Sequence, residues 1–253
     1  MSDVNTHIEI EGLTMKYGDF LIQRDLTFTI SRGDVFVIMG GSGCGKSTLL
    51  KHLVGLVSPA AGRVLYNGTS FWESSLAERD DLLRRVGILY QKGALWTSMT
   101  LAENVAMPLR QYTQYSESQI ADISSYKLAL VGLAGFEDYY PSEISGGMQK
   151  RAGLARAIAL DPDVLFFDEP SAGLDPISSK LLDDLIIELN RGLGATIVVV
   201  THELPSIFAI GTNSVFLDAD SKTMIASGDP KELLRSSKDP RVIKFLTRGE
   251  REV

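Results

Sequence analysis

The run Gly40-Gly41-Ser42-Gly43-Cys44-Gly45-Lys46-Ser47 follows the apolar stretch 35–39 and leads into a segment with leucines at helical spacing. Strand, glycine loop and helix in that order is the setting of a P-loop, and it commits the chain to an α/β architecture with a buried strand at its centre. The glycines let successive backbone N–H groups turn inward on a polyphosphate, and the helix that follows adds the positive end of its dipole. Lys46 is placed to reach the outer phosphates, and Ser47, followed by Thr48, to hold Mg²⁺. ATP or GTP binding is the first inference. A glycine loop that only turned a strand into a helix would need neither the lysine nor the hydroxyl.

The flanking sequence fits that architecture. Ile8 and Ile10, then Leu13, Met15 and Tyr17, alternate as in a half-exposed strand, and after a Gly18-Asp19 turn Leu26, Phe28 and Ile30 repeat the pattern. This predicts an antiparallel β layer. Leu49, Leu50, Leu53 and Leu56/Val57 predict the helix after the loop, ending near 55–59. Asn67-Gly68-Thr69 has the form of a glycosylation acceptor but reads better as a tight hairpin turn. Residues 92–160 read mainly as helix, with Ser116-Glu117-Ser118-Gln119 in capping-box spacing, and so predict an inserted helical subdomain. Val164-Leu165-Phe166-Phe167 and Thr196–Val200 are apolar runs of buried-strand length, separated by a stripe of Leu181, Leu182, Leu185, Ile186 and Leu189. Strand, helix, strand implies a parallel sheet with right-handed crossovers. A hairpin is predicted at 218–222. Asp229-Pro230-Lys231-Glu232 opens a short helix, and Val242, Ile243, Phe245 and Leu246 form an apolar cluster that docks on the domain or on a partner. The chain thus reads as one domain over 1–253, with the insertion at 92–160 and a helical tail at 229–253.

Composition narrows the class. With 253 residues, 44% of them hydrophobic, the chain can bury a sizeable core, and a formal charge of −7 speaks against a broad nucleic-acid surface. The single cysteine, Cys44, excludes an internal disulfide framework and reads as a small filler in the loop. No stretch approaches the roughly 20 apolar residues of a membrane span, and the polar start at residues 1–6 does not read as a signal peptide. A cytosolic location follows as an expectation.

Hydrolysis needs more than a cradle, and each further part has a candidate. Asp168 and Glu169 leave the end of a buried strand, where α/β folds bind nucleotides. Asp168 would face Mg²⁺ and Glu169 the attacking water. His202, delivered by the strand Thr196–Val200, would contact the γ-phosphate. A lone histidine also serves as a structural hydrogen-bonder, so this role leans on its position. Gln91 is either a surface amide or a ligand of Mg²⁺ or water. Ser145-Gly146-Gly147-Met148-Gln149 before a strong helix is either a well-capped helix or a second anion-binding helix start.

Taken together, these residues resemble the ATPase subunits of ABC transporters. Ser145-Gly146-Gly147-Met148-Gln149 is similar to their signature motif, with Ile144 where leucine is usual. Asp168-Glu169, Ser171-Ala172-Gly173-Leu174-Asp175, Gln91 and His202 resemble the Walker B, D-loop, Q-loop and H-loop, in the family's order, over residues 8–228. The resemblance implies an ABC ATPase fold, ATP and Mg²⁺ as cofactors, and stacking of Tyr17 on adenine. It also implies a head-to-tail pair of copies in which Ser145, Gly146, Gly147 and Gln149 of one contact ATP held by the other. A separate integral-membrane permease would receive the motion in a groove near Gln91, where Trp96, Met99 and Leu101 either line the groove or pack in the core. The run Gly147-Met148-Gln149-Lys150-Arg151, the segment Thr201-His202-Glu203-Leu204 and the ending Asp239-Pro240 through Leu246 resemble the MCE-associated, Mla-type ATPases of lipid trafficking in double-membrane bacteria. That subgroup implies phospholipid transport, a lipid-binding MCE-domain partner and a place on the cytoplasmic face of the inner membrane. The competing readings are an ABC subunit for another cargo, a soluble ABC switch in translation or DNA repair, and a P-loop kinase. The kinase leaves Ser145-Gly146-Gly147 unexplained.

Overall fold

Ile8, Ile10, Leu13 and Met15 alternate inward along strand β1 (Thr6–Tyr17), and Leu26, Phe28 and Ile30 do so along β2 (Phe20–Ser31). The two pair antiparallel across the Gly18-Asp19 turn, with Tyr17 opposite Phe20. In this computed structural model, residues 5–91 and 93–249 are described. Lys92, the first residue of the expected insertion, lies outside them, as do residues 1–4 and 250–253 at the two ends of the expected domain and tail. The chain divides into two compact units, one of residues 1–80 with 196–253, the other of residues 81–195.

In the first unit, β1 and β2 form an antiparallel sheet with β4 (Ala61–Tyr66) and β5 (Thr69–Ser70), in the order β2-β1-β4-β5. The β4–β5 hairpin turns on Asn67 and Gly68, both at positive φ (51° and 78°), the pair that a type I′ turn requires. A second sheet holds the fully buried β3 (Val35–Gly40) between β8 (Thr196–Val200) and β9 (Asn213–Asp218), parallel to both. β10 (Thr223–Ser227) returns antiparallel on β9. Phe28 stacks on Phe36 with ring centroids 5.4 Å apart, joining the two layers.

Helix α1 (Lys46–Leu53) ends one turn sooner than the apolar spacing predicts. Gly55, at φ +74°, breaks it, and Leu56 is left exposed. The unit also holds α7 (Leu204–Ile210), α8 (Pro230–Ser236) and α9 (Pro240–Leu246). Val242 and Leu246 of α9 are buried against Val37, Met39, Leu204, Ile207 and Phe216. Burial of two aliphatic side chains at about 1.5–3 kcal/mol each holds a helix too short to persist alone. The tail cluster therefore docks on its own chain.

The second unit pairs β6 (Val86–Leu89) with β7 (Val164–Asp168) in parallel. Between them in sequence come α3 (Leu101–Tyr112), α4 (Glu117–Leu130) and α5 (Gly146–Ala157), with α3 packed on both α4 and α5. Thr100 with Glu103, and Ser116 with Gln119, form full capping boxes. α6 (Pro176–Leu193) buries Leu182, Leu185, Ile186 and Leu189 and closes at Gly194 in the left-handed region. Leu181, expected on that stripe, is instead 60% exposed, as is Ile177 one turn earlier at 75%. The remaining helix, α2 (Leu76–Arg84), runs across the division between the units and buries none of its residues. No described helix is long and apolar enough to cross a membrane.

Candidate functional site

The glycine loop leaves the buried end of β3 in the first unit. Gly40 has φ +147°, and a Cβ there would sit 2.3 Å from the Leu217 carbonyl oxygen and 2.8 Å from Cys44 Sγ, so only glycine lets the loop lie this close to β9. Gly43 and Gly45 are also at positive φ, and Gly45 is the N-cap of α1. Lys46, 8% exposed, donates from Nζ to the Gly40 and Gly41 carbonyls at 3.0 and 2.9 Å. Two of its three hydrogens are thus engaged at the loop, leaving one for an anion. Ser42 and Ser47 are exposed and Thr48 half-buried. Cys44 is buried, and burial pushes its thiol up against the lowering effect of the Lys46 ammonium, so it is a packing residue in the thiol form.

Ile38 of β3 pairs with Val200 of β8 in parallel register, so the glycine loop and Thr201-His202 leave the same edge of this sheet. Thr201 N–H donates to the Ile38 carbonyl at 3.4 Å, and Thr201 Oγ1 accepts from Glu203 N–H at 3.1 Å. These bonds fix the backbone on both sides of His202, whose side chain is more than half exposed. Tyr17, 51% exposed, stands at the tip of the β1–β2 hairpin.

In the second unit, Leu89 of β6 pairs with Phe167 of β7, so Gln91 and Asp168-Glu169 leave one edge together. Glu169 adopts φ +49°, a left-handed turn just where the strand ends. The residues after it are tied to α5: Lys150, nearly buried, donates from Nζ to the Pro170 carbonyl at 2.6 Å and to the Ala172 carbonyl. Burial holds Lys150 below the usual lysine range, partly opposed by the Glu169 carboxylate.

Ser145 caps α5, accepting from Met148 N–H at 3.2 Å, and Ser145 and Gly146 are exposed. Gly147 faces Leu174 and Ser178 closely enough that an added Cβ would touch both. Gln149 turns its amide back on the preceding loop, donating to the Pro141 and Ile144 carbonyls at 2.8 and 3.4 Å. Asp175 caps α6 through the N–H groups of Ile177 and Ser178, and the Ser178 hydroxyl and backbone bonds hold its carboxyl below the usual range. Of the three candidate groove residues, Trp96 is exposed, Met99 half-buried and Leu101 fully in the core. Buried Asn104 shapes their loop, accepting from Trp96 N–H and donating to the Trp96, Met99 and Thr100 carbonyls. The bonds of Lys150 and Asn104 cannot be read from the sequence, because their partners are backbone groups.

The ABC transporter family profile matches residues 23–172 of the chain. The intermembrane phospholipid transport system ATP-binding protein MlaF of Haemophilus influenzae is 43% identical over 243 residues, covering 96% of this chain and 90% of that protein. The chain belongs to the ABC transporter family. MlaF of Escherichia coli K12 is 41% identical over 94% of this chain and 88% of its own length. A protein of Mycobacterium tuberculosis named as a probable ribonucleotide transport ATP-binding protein, mkl, is 45% identical over 94% of this chain, which spans 66% of that relative's length. Among solved structures, CbiO1 of Clostridium perfringens superposes with a TM-score of 0.83 at 27% identity, covering 96% of this chain and 97% of that one. The dimeric cassette MJ0796, in a post-hydrolysis state with ADP and Pi, superposes at 0.78 and 27% identity over 88% of this chain and 98% of its own. The fold is that of the ABC ATPases.

Proposed function

We propose that this chain is the ATP-hydrolysing subunit of a transporter that carries phospholipid between inner and outer membranes through a separate integral-membrane permease. The observation that carries the nucleotide part is the loop 40–47. Its positive-φ glycines, the N-terminus of α1 and a nearly buried ammonium with one uncommitted hydrogen suit a phosphate chain and little else. The phospholipid part rests on the two MlaF relatives.

In this reading Tyr17 offers its ring to adenine, and Gly40, Gly41, Ser42, Gly43, Cys44, Gly45, Lys46, Ser47 and Thr48 form the cradle around the phosphates. Ser47, Gln91 and Asp168 would hold Mg²⁺. They are oxygen donors with a single carboxylate, the sparse set that suits an ion arriving with phosphates and water, and among the described residues no cluster of three or more His, Cys, Asp or Glu competes with them. When bound there, Mg²⁺ would help to neutralise the charge that develops on the phosphates. Glu169 takes a proton from the water that attacks the γ-phosphorus, as the bond to the bridging oxygen breaks and its electron pair leaves with ADP. His202 donates to the γ-phosphate, and Lys46 follows the charge.

A second copy, paired head to tail, contributes the start of its α5. Ser145, Gly146, Gly147 and Gln149 contact the same ATP, and the Gln149 side-chain nitrogen also braces the loop before α5. Residues 1–253 act as one ABC ATPase domain, with a helical insertion at 92–160 and a helical tail at 229–253. The chain works on the cytoplasmic face of the inner membrane beside a permease and an MCE-domain lipid-binding subunit, without nucleic acid. Glu169→Gln keeps the shape of the side chain but not its charge. It is expected to bind ATP like the parent and to release no phosphate; parent-like turnover would refute the role of Glu169. With permease and lipid-binding subunit in vesicles, ATP-dependent movement of labelled phospholipid is the expected result, and movement of another solute instead would refute the cargo.

A further inference from the structure

Gln23 of β2 is fully buried in the first unit. Its side-chain nitrogen donates to the Cys44 carbonyl of the glycine loop at 2.7 Å and to the Asp218 carbonyl at the end of β9 at 2.9 Å, so both amide hydrogens are used. Its Oε1 has no hydrogen-bond partner, a costly state for a buried acceptor that is retained alongside the two donations. β2 also presses on the loop next door: a Cβ on Gly45 would meet Ile22 Cγ2 at 2.6 Å and Gln23 Cγ at 3.5 Å.

Peptide geometry gives this contact a direction. The Cys44 carbonyl and the Gly45 N–H belong to one planar trans unit and point opposite ways. Drawing the carbonyl toward β2 turns the Gly45 N–H away from β2, at the N-cap of α1. The anchor is itself held from behind. The Asp218 carboxylate accepts Arg241 Nη1 at 2.8 Å, and the Ser221 N–H and hydroxyl at 2.8 and 2.6 Å.

We propose that Gln23 is a positioning residue for nucleotide binding: by fixing the Cys44 carbonyl it aims the Gly45 N–H at the phosphate chain. The inference rests on the nucleotide reading of the loop. Leucine at position 23 keeps the volume and removes both donors. Glutamate keeps the shape but sets a carboxylate against two carbonyls, and on protonation it regains one donor; burial favours that neutral form.

The test uses ADP as probe, titrated calorimetrically into the parent, Gln23→Leu and Gln23→Glu proteins, with the Gly45 amide followed by NMR. Gln23→Leu is expected to weaken ADP binding about 10- to 100-fold, the effect of one misdirected bond to a phosphate, and to shrink the ADP-induced shift of the Gly45 amide. The deficit of Gln23→Glu relative to the parent is expected to narrow as the buffer goes from about pH 8 to about pH 6, while that of Gln23→Leu stays constant. Parent-like affinity and Gly45 shift in Gln23→Leu overturn the inference, and so does a Gln23→Glu deficit that is the same at every pH. If Gln23→Leu does not fold, the Gln23→Glu titration decides alone. A parent protein that binds no ADP overturns the nucleotide reading, and the inference with it.

Discussion

Replacing Lys150 by methionine isolates one ammonium, because methionine keeps an unbranched stem of similar length. In the native chain that ammonium satisfies the carbonyls of Pro170 and Ala172, immediately after Glu169. Each charge-assisted bond is worth about 1.5–3 kcal/mol, and the carbonyls left behind have no ready substitute. Part of the loss is returned, since burying the ammonium is itself unfavourable, as its depressed pKa records. The net expectation is a destabilisation of about 2–4 kcal/mol. For a chain of this size that lowers the melting midpoint by about 4–16 °C, read by calorimetry. The loop from Pro170 to Asp175 loses its anchor, so ATP turnover should fall further than ATP affinity, measured as kcat against Kd. A Lys150→Met protein that melts within about 1 °C of the parent and turns over at the parent rate would refute the reasoning.

Other parts of the structure give further tests. Gly40→Ala places a methyl 2.3 Å from the Leu217 carbonyl oxygen and should cost about 1–3 kcal/mol while displacing the loop that holds nucleotide; retained ADP affinity would contradict the close approach. Tyr17→Ala should weaken ATP binding by about 5- to 150-fold, and Tyr17→Trp should not, since base stacking on an aromatic ring is worth about 1–3 kcal/mol; equal affinity in all three proteins excludes stacking. The dock of α9 should weaken in acid. Arg241 holds the Asp239 carboxyl down to about 2, and at Asp218 burial pushes the carboxyl up but Ser221 and Arg241 outweigh it. Both folded values are depressed, so the stability they supply is complete above the free-carboxylate value of about 3.9 and is lost as pH falls toward about 2. Protection of the α9 amides, corrected for the intrinsic exchange rate, should fall across that window, and in Arg241→Met it should start lower and fall less; equal protection at both ends of the window in the parent counts against the link.

Local chemistry made much of the fold legible. The glycine loop between a buried strand and a helix, the Asn67-Gly68 hairpin, the caps at Ser116 and Asp229 and the apolar tail each depend on neighbours a few residues away, and each can be read from spacing. Long-range choices could not be read this way. Periodicity carries no information on which strands flank β3, and Leu181 belongs by type, though not by burial, to the inner stripe of α6. α2 buries none of its residues, so it offers no stripe at all. Gln23 was hidden by a change of phase. A bulge at Arg24-Asp25, with Asp25 at φ +53°, puts it inward although the inward residues after the bulge, Leu26, Phe28 and Ile30, have even numbers. The motifs supply the chemical types proposed for the site. The left-handed turn at Glu169 and the carbonyls held by Lys150 and Gln149 emerge only in three dimensions.

In the proposed function two copies meet across ATP held at the loop of one of them, so ATP is expected to hold the pair together. Sedimentation of the Glu169→Gln protein with and without ATP tests it most directly, together with the same protein carrying Ser145→Arg. The expected result is a dimer in ATP, a monomer without it, and no ATP-dependent dimer once Ser145 is replaced. A mass that ignores ATP, or a dimer that survives Ser145→Arg unchanged, contradicts the account.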